Sequence, residues 1–165
     1  MTAAAIGRPL WPPFVLLASA IVVVDQVTKA WITDALAPDG AVNVVGDYLR
    51  LVYTENSGAL FGLFRGQAAV FALLSLAVMA VIVTYHGRSG RSPYMTLTLG
   101  LLLGGAIGNA IDRLRFNHVV DFVDAGIGDL RFYTFNVADS CISAAILLLL
   151  VLAVKPSLAG PRRDG

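Results

Sequence analysis

Several short stretches of this sequence gather ionisable and amide side chains at spacings that could serve chemistry. DQVTK sets Asp25 and Lys29 four residues apart, on one face if the segment is helical. GNAIDR sets Asn109, Asp112 and Arg113 at i, i+3 and i+4, again on one helix side. VVDF holds Asp121 between apolar neighbours, and FNVADS carries Asn136 and Asp139 three apart. TENSGALF adds Asn56 beside a Ser-Gly pair, which alone reads as a turn. Two carboxylates meeting at one site can share a proton, one activating water as a general base and the other acting as general acid. That is aspartic protease chemistry, and Asp121 with Asp139 is the pair that fits it. Two other readings stand beside it at this level: ion or proton handling in a small transporter, and a purely structural polar network.

Composition predicts that the segments carrying these groups belong to an integral membrane protein. Of 165 residues, 57% are hydrophobic and only 14% charged, and the mean hydropathy of +0.75 is far from the balance of a soluble domain. A spanning helix needs about 20 apolar residues, and four segments approach that length, at 10–32, 67–85, 93–111 and 135–154. The fold class expected is an all-α membrane protein of four transmembrane helices, forming one domain over residues 1–165. Outer loops fall at 33–66 and 112–134. In the first, VNVVGDYLRLVYTEN alternates in the manner of strands after the turn signal APDG, which predicts a small extracytoplasmic β-element. The apolar, glycine-containing SGALFGLF after it predicts a short surface helix or re-entrant turn.

Orientation follows from basic residues between spans. One side carries Arg8, Arg88, Arg91, Lys155, Arg162 and Arg163 against the single acid Asp164, so both termini are expected in the cytoplasm. The acids Asp34, Asp39, Asp47, Glu55, Asp112, Asp121, Asp124 and Asp129 then lie on the outer side. LASA at 17–20 resembles a signal-peptide cleavage site, but the apolar run continues as IVVV and WPP interrupts it upstream, so an uncleaved first span is expected. A net charge of +1 without a basic tract gives no footprint for nucleic acid. The lone Cys141 excludes an internal disulfide and reads as a buried structural thiol.

Each cluster has a plain structural reading as well. Asp25 and Lys29 form an ordinary i,i+4 ion pair at the end of span one. The small residues at 104, 105, 106, 108 and 110 allow close helix packing. Asp112 lies near a helix C-terminus, where the dipole disfavours an anion, so Arg113 or another cation is expected to compensate it. Asp139 is electrostatically favoured at a helix N-terminus, yet it sits at or below the lipid boundary, where an ionisable residue is by default functional. There is no H-E-x-x-H and no G-x-S-x-G, and His86 and His118 fall on opposite sides of the membrane, so zinc and serine hydrolase designs find no support.

Taken in order, DQVTK, ENSGALF, GGAIGNAIDR, VVDF and FNVADS resemble the bacterial lipoprotein signal peptidase family, also called signal peptidase II. The resemblance spans nearly the whole chain. It implies an inner-membrane aspartic protease that removes the signal peptide from diacylglyceryl-modified prolipoproteins, cutting before the lipid-bearing cysteine, without metal or organic cofactor. It makes Asp121 and Asp139 the catalytic pair, and Asn56, Asn109, Arg113 and Asn136 substrate-positioning or active-site hydrogen-bonding residues. Asp25, Lys29 and Asp112 become supporting residues. It further implies a site near the outer membrane face, lipid and the lipidated precursor as partners, a monomer, a β-cradle on the surface and a mobile helix near 57–65.

Overall fold

The fold was obtained as a computed structural model that describes residues 8–58, 68–90 and 92–159. Helix α1 (Trp11–Leu36) leads into strands β1 (Ala41–Val45) and β2 (Leu49–Asn56), followed by α2 (Ala68–Ser89) and α3 (Pro93–Phe116). Strands β3 (Val119–Ile127) and β4 (Leu130–Arg131) precede α4 (Val137–Val154) and a last 3-10 turn at Pro156–Ala159. All four long helices are apolar enough to cross a membrane.

Helix α3 is the central one. About 67% of its apolar window is buried, against 28% or less for the others, because it packs against α1, α2 and α4 in turn. Glycine makes this approach close enough. A β-carbon added at Gly105 would lie 2.5 Å from the carbonyl oxygen of Ala138 on α4. Gly105→Ala is therefore expected to push α3 and α4 apart and to destabilise the protein by about 1–3 kcal/mol, seen as a lower thermal midpoint in detergent. An unchanged midpoint would show that α4 shifts without cost.

Proline opens both α1 and α3, where a missing N–H is harmless. Helix α3 ends at Asn117 in the left-handed conformation (φ 61°), a conformation that asparagine tolerates better than most residues. The chain reverses there and returns to the helix ends as β3, whose Val119, Val120, Asp121 and Phe122 are all buried.

The four strands form one antiparallel sheet in the order β1-β2-β3-β4. Val120 and Phe122 of the sheet pack on Ile32 of α1, with Leu51, Tyr53 and Val137 around them. Thr54 pairs with Asp121 and Asn56 with Val119, so the β2–β3 register alone brings residues 56 and 121 to one place. The outer part of the sheet is tied by Asp124, which accepts from Arg50 Nη2 (2.6 Å) and Arg131 Nε (2.9 Å). Burial raises the Asp124 carboxyl, but the two guanidiniums outweigh it and hold the group below the usual carboxylate range.

Three expectations change. The spans end later than lipid thickness suggests, at Leu36, Ser89 and Phe116 rather than 32, 85 and 111, because a helix continues past the lipid boundary until something caps it. The segment 112–134 is not a loop: its first part completes α3 and most of the rest is β3 and β4. Cys141 is half-buried rather than buried. Of the surface helix expected near 57–65, residues 59–65 lie outside those described, and Ser57 and Gly58 form no helix.

Candidate active site

At the sheet end of the bundle, α1, α3, α4, β2 and β3 bring Asp25, Lys29, Asn56, Asn109, Asp112, Arg113, Asp121, Asn136 and Asp139 into one polar network. Its base is ionic. Lys29 Nζ lies 2.8 Å from Asp25 Oδ2 and 2.8 Å from Asp112 Oδ2, and all three side chains are almost fully buried. Asp112 is thus compensated by Lys29 from the neighbouring helix; no ion pair joins it to Arg113. Both acids also hold backbone in place, Asp25 Oδ1 accepting from Ala138 N at 2.9 Å and Asp112 Oδ2 from Val120 N at 3.2 Å. One cluster therefore ties the start of α4 and the start of β3 to α1 and α3.

The third donor of Lys29 goes to Asn109 Oδ1, 3.1 Å away. An amide whose oxygen faces a cation must turn its NH₂ the other way, and Asn109 Nδ2 donates to Asp139 Oδ1 at 2.8 Å. Asn136 closes the arrangement. As N-cap of α4 it accepts from Asp139 N at 2.8 Å, while its Nδ2 donates to Asp121 Oδ1 at 2.7 Å and to Asn109 Oδ1 at 3.2 Å. Asp121 and Asp139, from a strand and a helix, are in this way held by two interlocked asparagines.

Their surroundings differ. Asp121 is fully buried, its Oδ2 accepting from Asn56 Nδ2 (3.0 Å) and Tyr133 Oη (3.4 Å); Asn56 and Tyr133 also contact each other. Burial above all, and then the charge of Asp139, push the Asp121 carboxyl up to about 7, although Asn56, Asn136 and Lys29 pull it down. Burial also raises the Tyr133 phenol, so it remains a donor. The folded state therefore keeps a proton on Asp121 between the ordinary 3.8 and about 7 that the unfolded chain releases. Linkage makes this contribution full below 3.8 and lost as pH rises through about 7. The thermal midpoint is expected to fall across that window, and in Asp121→Asn this component of the fall should vanish.

Asp139 is half-buried and opens onto a cleft of about 370 Å³ between α2 and α4, floored by α3. Phe71 and Leu74 of α2, Leu102 and Ala106 of α3, and Ile142 and Ile146 of α4 give it an apolar wall. Arg113 lines the mouth with its guanidinium 5.5 Å from the Phe71 ring centre. Its hydrogen bonds are long, 3.4 Å to Asn109 O and 3.5 Å to Gly58 O, and among the described residues no carboxylate pairs with it directly.

Two participants carried little signal in the sequence. Gln26 Nε2 donates to Asp112 Oδ1 at 2.9 Å and lies 3.3 Å from Gly108 O; its place inside DQVTK was the only hint. Tyr133 carried none, being one aromatic in a segment read as loop. His118 stands on the rim, 3.6 Å from Glu55, away from both carboxylates.

The fold and its polar network are those of a multi-pass membrane protein in which the start of a helix and a neighbouring strand hold two amide-bridged carboxylates, Asp139 opening onto an apolar cleft and Asp121 buried behind it. Residues 17–155 match the family model described as signal peptidase (SPase) II. The lipoprotein signal peptidase of Syntrophomonas wolfei subsp. wolfei is 38% identical over 154 residues, covering 93% of this chain and 96% of that protein. That of Geobacillus kaustophilus is 38% identical over 136 residues, covering 82% and 88%. Two solved bacterial membrane enzyme structures are similar, with TM-scores of 0.84 and 0.82 at 26% and 28% identity. They cover 96% and 90% of this chain and 97% and 96% of their own. The chain belongs to the signal peptidase II family, a family of membrane proteases that act on lipoprotein precursors.

Proposed function

We propose that this protein is an aspartic endopeptidase that cleaves the peptide bond before the diacylglyceryl-modified cysteine of a prolipoprotein, with Asp139 as general base and Asp121 as general acid. The observation that carries this reading is the asymmetry of the amide-bridged pair: Asp139 opens onto the cleft, whereas Asp121 is buried and retains a proton up to about pH 7. The two titrate as a unit.

In this reading Asp139 takes a proton from water as the water oxygen attacks the scissile carbonyl carbon. Asp121 donates a hydrogen bond to the carbonyl oxygen once the Asn56 amide and Tyr133 hydroxyl give up its Oδ2. Arg113, with donors to spare at the cleft mouth, stabilises the developing oxyanion. When the C–N bond breaks, the Asp121 proton passes to the leaving amine nitrogen, and the proton on Asp139 then returns to Asp121 to reset the pair. The acyl chains of the substrate stay in lipid, so the membrane itself sets the height of the scissile bond beside Asp139.

Topology follows from charge. The described chain ends lie at the end of the bundle away from the sheet, where Leu10 N bonds Gly90 O and Ser92 Oγ bonds Leu158 O. The basic residues Arg8, Arg88 and Lys155 support a cytoplasmic location for that end, with the site near the outer face of the cytoplasmic membrane. Every group the mechanism uses comes from one chain, which supports a monomer.

Two measurements test the reading. Purified protein should release a fragment beginning with the lipidated cysteine from a precursor carrying diacylglyceryl, and should leave the unmodified precursor intact; equal cleavage of both would overturn it. The kcat/KM of the free enzyme should fall as pH rises through about 7, where Asp121 loses its proton. A flat profile from pH 5 to 9 would remove Asp121 as the acid.

A further inference from the structure

The cleft contains two hydroxyls that the network around the carboxylates does not use. Ser75 on α2 and Ser143 on α4 both line it. Ser75 lies one helical turn inward of Phe71, which packs under Arg113, and Ser143 lies one turn inward of Asp139. A hydroxyl in a membrane helix ordinarily bonds the carbonyl one turn back, and Thr28, Thr84, Thr98 and Ser140 do so here. Among the described residues neither Ser75 nor Ser143 has a hydrogen-bond partner. Ser75 is half-buried and Ser143 exposed on the cleft side of their helices, so both hydroxyls are accessible, and at membrane depth their natural complement is a polar group brought by a ligand.

A peptide carbonyl inside a helix is shielded by its own hydrogen bond, so the bond to be cut must be presented by unwound chain. Unwound backbone at membrane depth is tolerated only where the lining supplies partners. Four residues of helix rise about 6 Å, the length of about two extended residues. Polar groups therefore extend inward from Asp139 for about two residues, and beyond Ser143 the cleft is walled by Leu102, Val78 and Ile146. Acyl chains have no use for such groups along their length, and an intact helix has none to offer them.

Resting on the aspartic protease reading, we propose that Ser75 and Ser143 hydrogen-bond the backbone of the two substrate residues preceding the scissile bond, holding them extended in the cleft. They are positioning residues, and their contribution falls on substrate binding rather than on proton transfer.

The test uses the full-length protein in phospholipid nanodiscs with a lipidated precursor peptide. A second peptide has the amide N–H of the second residue before the cut replaced by an ester oxygen. Ser75→Ala/Ser143→Ala is expected to lower kcat/KM about tenfold, the loss of two ordinary hydrogen bonds, mostly through a raised KM. The ester should cost the wild type several-fold and the double variant little. Ser143→Thr, which keeps the hydroxyl, should stay close to wild type. Ser19→Ala removes an exposed hydroxyl from α1 away from the cleft and should change nothing. A double variant within twofold of wild type, or an ester penalty equal in both proteins, would overturn the proposal. Asp139→Asn separates the two ideas: an inactive Asp139→Asn beside unaffected serine variants refutes the serine role alone. An active Asp139→Asn refutes the aspartic reading itself.

Discussion

Asp139→Asn and Asp121→Asn should each lower kcat/KM on a lipidated precursor by about 10³-fold or more while the protein still inserts and purifies. The magnitude follows from losing one partner of an acid–base pair, and the double variant should be little worse than either single one, because the two act as a unit. Folding should survive because asparagine keeps an acceptor for the amide that bridges each site, and at position 121 its NH₂ can donate to the Tyr133 hydroxyl. Asn109 Nδ2 can still donate to residue 139, and Asn136 Nδ2 to residue 121. At pH 8 Asp121→Asn should be at least as stable as the wild type, since it removes a buried group that ionises there at a cost. Retention of more than about a tenth of wild-type kcat/KM by either variant would show that the dyad is not the catalytic pair.

Lys29→Met should have the largest effect on stability. Asp25 and Asp112 each lie 2.8 Å from its ammonium, and all three side chains are buried. Removing one partner of such a cluster leaves uncompensated charge inside the protein, at a cost of about 3–5 kcal/mol. The two acids cannot relocate, because Asp25 holds Ala138 N and Asp112 holds Val120 N. The expected result is a sharp drop in thermal midpoint and in the yield of monodisperse protein. Adding Asp25→Asn and Asp112→Asn should restore much of the folding, because asparagine carbonyls can accept the same two backbone bonds without charge. The rescued protein should remain slow, because the Asn109 oxygen then keeps only the 3.2 Å bond from Asn136 Nδ2 to turn it away from Asp139. A Lys29→Met protein with wild-type midpoint and turnover would remove Lys29 from both roles.

The ionic base of the site was only partly legible. DQVTK announced the Asp25–Lys29 pair through its i,i+4 spacing, and the structure forms it. For Asp112 the dipole at the end of α3 called for Arg113 or another cation. The cation is Lys29, from a helix that sequence spacing does not relate to α3. Arg113 is left facing the cleft. Tyr133 and the second half of the sheet had no periodic signal, because β3 is buried on both faces and reads as a plain apolar run broken by Asp121 and Asp124.

The number of spans, the apolar and polar ends of each, the strands near 41–56, and the residue types gathered at one membrane height were all legible in the order of residues along the chain. These are properties of composition and period, and lipid thickness turns them into structure with little freedom. Which groups meet was settled by helix packing and strand pairing. The β2–β3 register set Asn56 beside Asp121, and the glycine-lined approach of α3 to α1 and α4 brought Lys29, Asn109 and Asp139 into one chain of contacts. Distances between distant segments depend on packing of whole helices and on strand pairing, and no local spacing carries that information.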